Sequence, residues 1–244
     1  MAEILQKTLP YDPFAPRPLP GIGPLDIGDW LIRDEAFGGQ MCERARLLAT
    51  CRDRVLAMDE TARPAARELL DLVLGLAYPG ADKVAVRPDG VRVRVDRDDP
   101  LGTLGHLVQE DFCILQKPGD EHVLTGAVLC FPASWTLSEK FMAPLIGIHT
   151  PVDSYDAGMA TRVQRLFDGV RAGHPLWRFN ALWYDDPALF QPRGGDDQRA
   201  PVAADRAGYL RSERQCILRL PQTGAVVFSI HTYVLPRAAL ETGC

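Results

Sequence analysis

The hydrophobic pattern is clearest in the middle of the chain. Two apolar runs, 110–115 and 122–131, flank the turn residues Lys117-Pro118-Gly119-Asp120, and this arrangement predicts a β-hairpin. Apolar residues then recur at helical spacing over 135–148, which predicts a helix directly after the hairpin. His149 follows this helix and is fixed by a nearby proline. We therefore expect His149 on the rim of an apolar pocket, where a histidine can serve as an axial metal ligand.

The rest of the pattern places helices before the hairpin and mainly strands after it. Residues 8–24 carry six prolines and predict an extended arm, whose Tyr11, Phe14 and Leu19 are worth burying. Before the hairpin, the apolar spacing predicts helices at 37–57 and 62–77 and a small hairpin at 84–95. After it, the pattern predicts a helix at 156–171, a strand at 176–184, a loop at 185–207 and a closing hairpin of 209–220 and 225–235.

The order of these elements indicates the fold class. Five antiparallel strands from residue 110 onward, with helices inserted after the second, predict an α+β domain with helices on one face of the sheet. The same order occurs in PAS domains, whose pocket lies between the sheet and the inserted helices, although a fold analogy does not give function. We expect residues 101–244 to form this PAS-like core. Residues 1–100, the extended arm with two helices and a small hairpin, should pack on it.

Composition narrows the class of protein. The 244 residues carry a net charge of −5, so nothing favours nucleic-acid or membrane-surface binding. No apolar run approaches the roughly 20 residues of a membrane span, and the N-terminus lacks the apolar segment of a signal peptide. The six cysteines form no C-x-x-C pair, which indicates reduced thiols rather than a disulfide framework or a zinc site. We therefore expect a cytoplasmic protein.

Charged residues in the last three strands are the other candidates for chemistry. Alternation places Arg214 with the more apolar face of its strand, which we expect to face the inserted helices. Arg214 would then point into the pocket and need an anion, and Glu213 would lie on the opposite face. Arg178 lies in a strand whose pattern is ambiguous. These three residues can equally form a structural ion-pair network, and His149 can simply cap its helix.

Catalytic motifs that act without a cofactor are missing from the sequence. It contains no G-x-S-x-G, H-E-x-x-H, Walker or G-x-G-x-x-G pattern. Seven other segments do form a recognisable series, in the order Val108-Gln109-Glu110-Asp111, Cys130-Phe131-Pro132-Ala133-Ser134-Trp135, Ile148-His149-Thr150-Pro151-Val152, Trp177-Arg178-Phe179-Asn180, Leu189-Phe190-Gln191-Pro192, Leu210-Arg211-Ser212-Glu213-Arg214-Gln215 and Leu220-Pro221-Gln222-Thr223-Gly224. Together they resemble the haem-dependent oxidative N-demethylase family, specifically its haem-binding subunit, over about residues 8–236.

The resemblance implies a haem b bound in a PAS-like domain. It also implies O₂-dependent oxidation of a small alkylamine such as dimethylamine, with electrons from separate flavin and iron–sulfur reductase components. This chain carries no flavin or iron–sulfur motif of its own, which fits that division of labour. The proximal iron ligand is carried over to His149, which stands in the family's Ile-His-x-Pro-Val pattern. His231 is the next candidate should His149 not bind iron.

The chemistry of such a site suggests the other roles. A secondary amine is cationic at pH 7, so its pocket needs a carboxylate or aromatic faces, and we expect Glu213 with Trp177 and Tyr155. Arg178 or Arg214 would polarise oxygen or hold a haem propionate. Two alternatives stay open: a haem-based PAS sensor of gas or redox state, and a binding subunit without catalytic activity.

Overall fold

The computed structural model describes residues 3–15, 21–145, 157–194, 197, 202, 204 and 206–241, with the backbone alone at 157–161. The helices are α1 Phe37–Thr50, α2 Arg52–Val55, α3 Arg63–Ala77, α4 Pro100–Leu107, α5 Leu137–Lys140, α6 Ala157–Gly169 and α7 Arg237–Glu241. The strands are β1 Gly23–Pro24, β2 Leu56–Met58, β3 Val84–Val86, β4 Arg92–Arg94, β5 Asp111–Gln116, β6 Val123–Val128, β7 Leu176–Tyr184, β8 Tyr209–Arg219 and β9 Val226–Pro236.

One antiparallel sheet organises the described chain. Its strand order is β1-β7-β8-β9-β5-β6-β2, and β3 pairs with β4 in a separate hairpin. The five strands expected after residue 110 form its centre, and two short strands from the N-terminal part extend its edges. The α+β class is therefore confirmed. The closer likeness to a PAS domain and the division of the chain at residue 100 stay predictions.

Helices cover both faces of this sheet, whereas helices on one face were expected. Phe112 and Ile114 of β5 belong to a buried cluster that includes residues of α1, α3 and α4. Cys113 and Leu115, which alternate with them, belong to a second cluster that includes residues of α5 and α6. Strand β5 is apolar on both sides, and such a strand fits a sheet that is covered twice.

The helix predicted over 135–148 is much shorter in the structure. Helix α5 ends at Lys140, and Met142 adopts a left-handed backbone with φ of 61°. Pro144 then forms a β-bridge with Val123, so the chain runs beside β6 instead of continuing as a helix. The prediction was therefore wrong at residues 141–144, whereas residues 146–148 lie outside the described part of the chain.

Helix α4 was absent from the predicted elements, because two glycines interrupt its apolar run. Asp99 caps this helix by accepting a hydrogen bond from the backbone of Gly102. A Cβ atom at Gly105 would lie 2.8 Å from a methyl carbon of Leu48 in α1. Glycine at this position therefore allows α4 to pack closely against α1.

The extended arm lies on the face of the sheet that the N-terminal helices cover. Gln6 is joined to β9 by three hydrogen bonds. Its backbone nitrogen donates to the carbonyl of Val234, its Oε1 accepts from the nitrogen of Val234, and its Nε2 donates to the carbonyl of Thr232. The ring of Tyr11 stacks on Phe179 with centroids 4.2 Å apart. Phe14 is 58% exposed, so the expectation that it is buried was wrong. Leu19 lies outside the described residues.

Candidate functional site

A cavity of about 580 Å³ lies between the sheet and the segments of α5 and α6. Its wall is mainly apolar, with contributions from Leu115, Leu124, Leu166, Phe167, Ile217 and Phe228. A volume of this size falls in the range of cavities that hold small organic ligands and cofactors. The polar groups on an apolar wall of this kind determine what the cavity can bind.

Glu213 is the carboxylate of this wall, and its neighbours on the sheet hold it in place. It pairs with Asn180 in the register of β7 and β8 and is 8% exposed. Its Oε2 accepts hydrogen bonds from Asn180 Nδ2 at 3.1 Å and Gln215 Nε2 at 3.0 Å, and its backbone nitrogen donates to Asn180 Oδ1 at 3.1 Å. Within the described part of the chain, Oε1 has no hydrogen-bond partner. Glu213 therefore presents one oriented oxygen to a ligand.

Arg178 brings a cation to the same wall. Its Nε atom is buried and has no hydrogen-bond partner among the residues that the structure describes. Burial lowers the pKa of Arg178, and the charge of Glu213 opposes this shift without forming an ion pair with it among the residues described. A buried donor without an acceptor costs about 1–3 kcal/mol, so an anionic ligand that accepts a hydrogen bond from this arginine would remove that cost.

Two further cations border the cavity, and neither was predicted from the sequence. The ammonium of Lys140 lies 4.6 Å from the ring centroid of Trp135. Arg162 contributes from α6 and is exposed. With Arg178 they place three basic groups around one carboxylate, which favours an anionic ligand or one that carries separate anionic and cationic parts.

Sequence alternation could have found part of this arrangement. Residues that pair in adjacent antiparallel strands share a face, so Asn180 and Gln215 follow from Glu213 once the register of β7 and β8 is known. Lys140 gave no such signal, since it was assigned to a long helix. The structure brings Glu213 and Arg178 together on the cavity wall, as expected for residues of one site.

Arg214 does not point into this cavity, and its predicted face was wrong. Its guanidinium lies on the opposite face of β8 and donates to the backbone oxygens of Trp30 at 3.0 Å and Asp29 at 2.8 Å. The guanidinium also lies over the ring of Trp177, with 5.4 Å to its centroid. The more apolar face of β8 is covered by the N-terminal segments rather than by α5 and α6. Arg214 and Trp177 therefore lie away from the cavity, and no ion-pair network joins Arg214 to Glu213 or Arg178 among the described residues.

His231 lies on this opposite face as well and is 1% exposed. Its Nδ1 lies 3.0 Å from Glu110 Oε1, and its Nε2 lies 3.0 Å from Asp34 Oδ2. Burial alone would lower the pKa of His231, but the bonds to the two carboxylates outweigh it and raise the pKa to about 9. A protonated imidazole with both nitrogens engaged has no lone pair for a metal, so the structure gives no support to His231 as an alternative iron ligand.

His149 and Tyr155 lie outside the described residues, and their predicted roles stay predictions. Among the residues that are described, no group of three or more His, Cys, Asp or Glu side chains is placed to hold a metal ion. His149 stands four residues after Leu145 of the cavity wall in the sequence, and its role as a metal ligand stays a prediction.

A comparison with protein families identifies the chain. Residues 21–243 match the family described as haem-dependent oxidative N-demethylase, alpha subunit-like, and the chain belongs to this family. The match confirms the resemblance inferred from the seven sequence segments. No helix in the described ranges is both long and apolar enough to cross a membrane.

Proposed function

We propose that this member of the haem-dependent oxidative N-demethylase family binds haem b in the cavity and catalyses O₂-dependent N-demethylation of a small alkylamine such as dimethylamine. The observation that carries the proposal is the combination of an apolar cavity with Arg178, whose buried Nε has no acceptor among the described residues. Haem b combines a large apolar ring with two carboxylates, so it matches both features. The family membership supports haem dependence independently.

Arg178 and Arg162 are the residues that we assign to the haem propionates. Both border the cavity, and arginine presents several donors in a planar fork that suits a carboxylate. Leu115, Ile217 and Phe228 supply apolar surface for the ring. We assign His149 as the protein ligand of the iron. When bound, the haem supplies the redox-active iron at which O₂ is reduced.

Glu213 is the residue that we assign to the amine. A dialkylammonium ion in an apolar cavity needs a counter-charge, because an unpaired buried ion costs several kcal/mol. Oε1 of Glu213, which has no partner in the described part of the chain, can accept its N–H, while Asn180 and Gln215 hold the other oxygen in place. The same oxygen can take the proton from the ammonium, which leaves a neutral amine for oxidation. Glu213 would thus form an ion pair with the ammonium substrate and then accept its proton.

Electrons have to come from elsewhere, because O₂-dependent demethylation consumes two of them per turnover. The sequence contains no flavin or iron–sulfur motif, so we assign electron delivery to separate reductase components. The chemically reduced, ferrous protein should bind O₂, and the chain supplied with NADPH alone should show no sustained turnover.

A reconstitution experiment tests the proposal. The chain is produced with haem supplied, and absorbance is recorded for the native sequence, His149→Ala and His174→Ala, which alters an exposed histidine and serves as the matched control. We expect a Soret band in the native protein and in His174→Ala, and a changed axial-ligand spectrum or loss of haem only in His149→Ala. Dimethylamine should shift the ferric spectrum of the native protein. A protein that takes up no haem would contradict the proposal, and a haem protein that responds to no small amine would favour a sensor.

A further inference from the structure

Lys140 is the basic group of the cavity that the proposed function leaves without a role. Its ammonium lies against the face of Trp135, and among the described residues it has neither a hydrogen-bond acceptor nor an ion-pair partner. Burial lowers the pKa of Lys140, and the charges of Cys113, Glu139 and Glu213 oppose that shift. An amine in such surroundings is neutral more often than a surface lysine and is therefore a better nucleophile.

The groups around this amine act in two directions. Glu213 and Glu139 favour the ammonium form, and the face of the Trp135 ring, 4.6 Å from the nitrogen, favours it as well. Burial against the mainly apolar wall of the cavity acts in the other direction and is the largest single effect on the pKa of Lys140. The pKa is lowered on balance, so burial favours the neutral amine.

We propose that Lys140 binds small aldehydes covalently and reversibly as imines. The neutral Nζ attacks the carbonyl carbon, the C=O π bond breaks, and the oxygen takes up the proton that the nitrogen loses. The resulting carbinolamine then releases water to form the C=N bond. No oxidant or reductant is needed, and hydrolysis by one water molecule returns the amine and the aldehyde.

The wall of the cavity indicates which aldehydes Lys140 can bind. The wall around Lys140 is apolar, so a small uncharged carbonyl compound can enter it without losing strong hydration. The proposed demethylation releases formaldehyde in this same cavity, and this connection rests on the proposed function. The imine site itself does not, because it depends only on Lys140 and the surrounding wall.

The chain is well suited to a labelling test, because it contains only four lysines, Lys7, Lys83, Lys117 and Lys140. Lys7 and Lys83 are exposed, and Lys117 pairs with Asp168 at 2.7 Å. The full chain is incubated with limiting formaldehyde and cyanoborohydride, which reduces an imine to a methylated amine. Peptide mass spectrometry then gives the initial labelling rate at each lysine from pH 7 to pH 9, with Lys140→Arg as the variant that keeps the charge.

We expect Lys140 to be labelled faster than the other three lysines at pH 7. The rate at Lys83 should rise about tenfold per pH unit, as the neutral fraction of an ordinary lysine does, whereas the rate at Lys140 should rise less steeply. Labelling of Lys140 that is no faster than that of Lys83, or that has the same pH dependence, would overturn the proposal. Lys140→Arg should leave labelling of the other three unchanged.

The Soret band of the same samples tests haem binding separately. Fast labelling of Lys140 in a protein that binds no haem would uphold the imine site and remove its link to demethylation. Haem binding together with slow labelling of Lys140 would overturn the imine site and leave the proposed function intact.

Discussion

The two faces of strands β7 to β9 differ in how the buried charged side chains are paired. On the face covered by the N-terminal segments, His231 lies between two carboxylates and Arg214 donates to two backbone oxygens. On the cavity face, the buried Nε of Arg178 has no acceptor among the described residues, and Glu213 accepts side-chain hydrogen bonds there through Oε2 only. The same three strands thus carry one face on which the cations His231 and Arg214 have acceptors and one face on which Arg178 has none for its Nε within the described ranges. Glu110 on the first face keeps one buried oxygen without a partner in the described part of the chain.

This difference separates stabilising residues from ligand-binding ones. A buried charge with partners holds the N-terminal segments on the sheet, and its loss should unfold the protein more easily. A buried charge without partners lowers the stability of the ligand-free protein. Only a bound ligand can offset this cost. Variants on the first face should therefore change stability, and variants on the second should change binding.

Replacing His231 should have the largest effect. His231→Ala leaves Asp34 and Glu110 buried without their shared cation, so we expect the free energy of unfolding to fall by about 3–5 kcal/mol. Urea unfolding measures this, with His174→Ala as the control at an exposed position. Equal urea midpoints for the two variants would show that His231 does not stabilise the fold as described.

The pH dependence of stability should reflect the same cluster of His231, Asp34 and Glu110. Because the pKa of His231 is raised to about 9 from 6.5, its contribution is fully present below pH 6.5 and is lost as the pH rises through 9. This shift corresponds to about 3 kcal/mol, measured as the difference in urea stability between the native protein and His231→Ala from pH 6 to pH 10. A difference that stays constant over this range would contradict a charged His231.

On the cavity face, Glu213→Gln should affect amine binding and little else. The amide keeps the shape of the side chain and removes its charge, so the affinity for dimethylamine should fall by about 1.5–3 kcal/mol, which is roughly 10- to 150-fold. Haem affinity and urea stability of the same variant serve as internal controls. An unchanged amine titration would remove Glu213 from the site.

The strands could be predicted from sequence, but the side of the sheet that bears the site could not. The concentration of aromatic residues predicted a strand at 176–184, which is observed as Leu176–Tyr184. Alternation showed that Glu213 and Arg214 lie on opposite faces. It could not show which face borders the cavity, because that depends on where the N-terminal segments pack. Lys140 was missed for a related reason, since a tertiary contact ends its helix early.

Haem titration of Arg178→Met tests the central claim most directly. The substitution keeps much of the side-chain volume and removes the cation, and Arg92→Met makes the same change at an exposed position of β4. If Arg178 on the cavity face binds a propionate, Arg178→Met should weaken haem binding about 10- to 150-fold, by about 1.5–3 kcal/mol, without lowering urea stability, while Arg92→Met binds as the native chain does. Equal haem affinity in all three proteins would contradict the account.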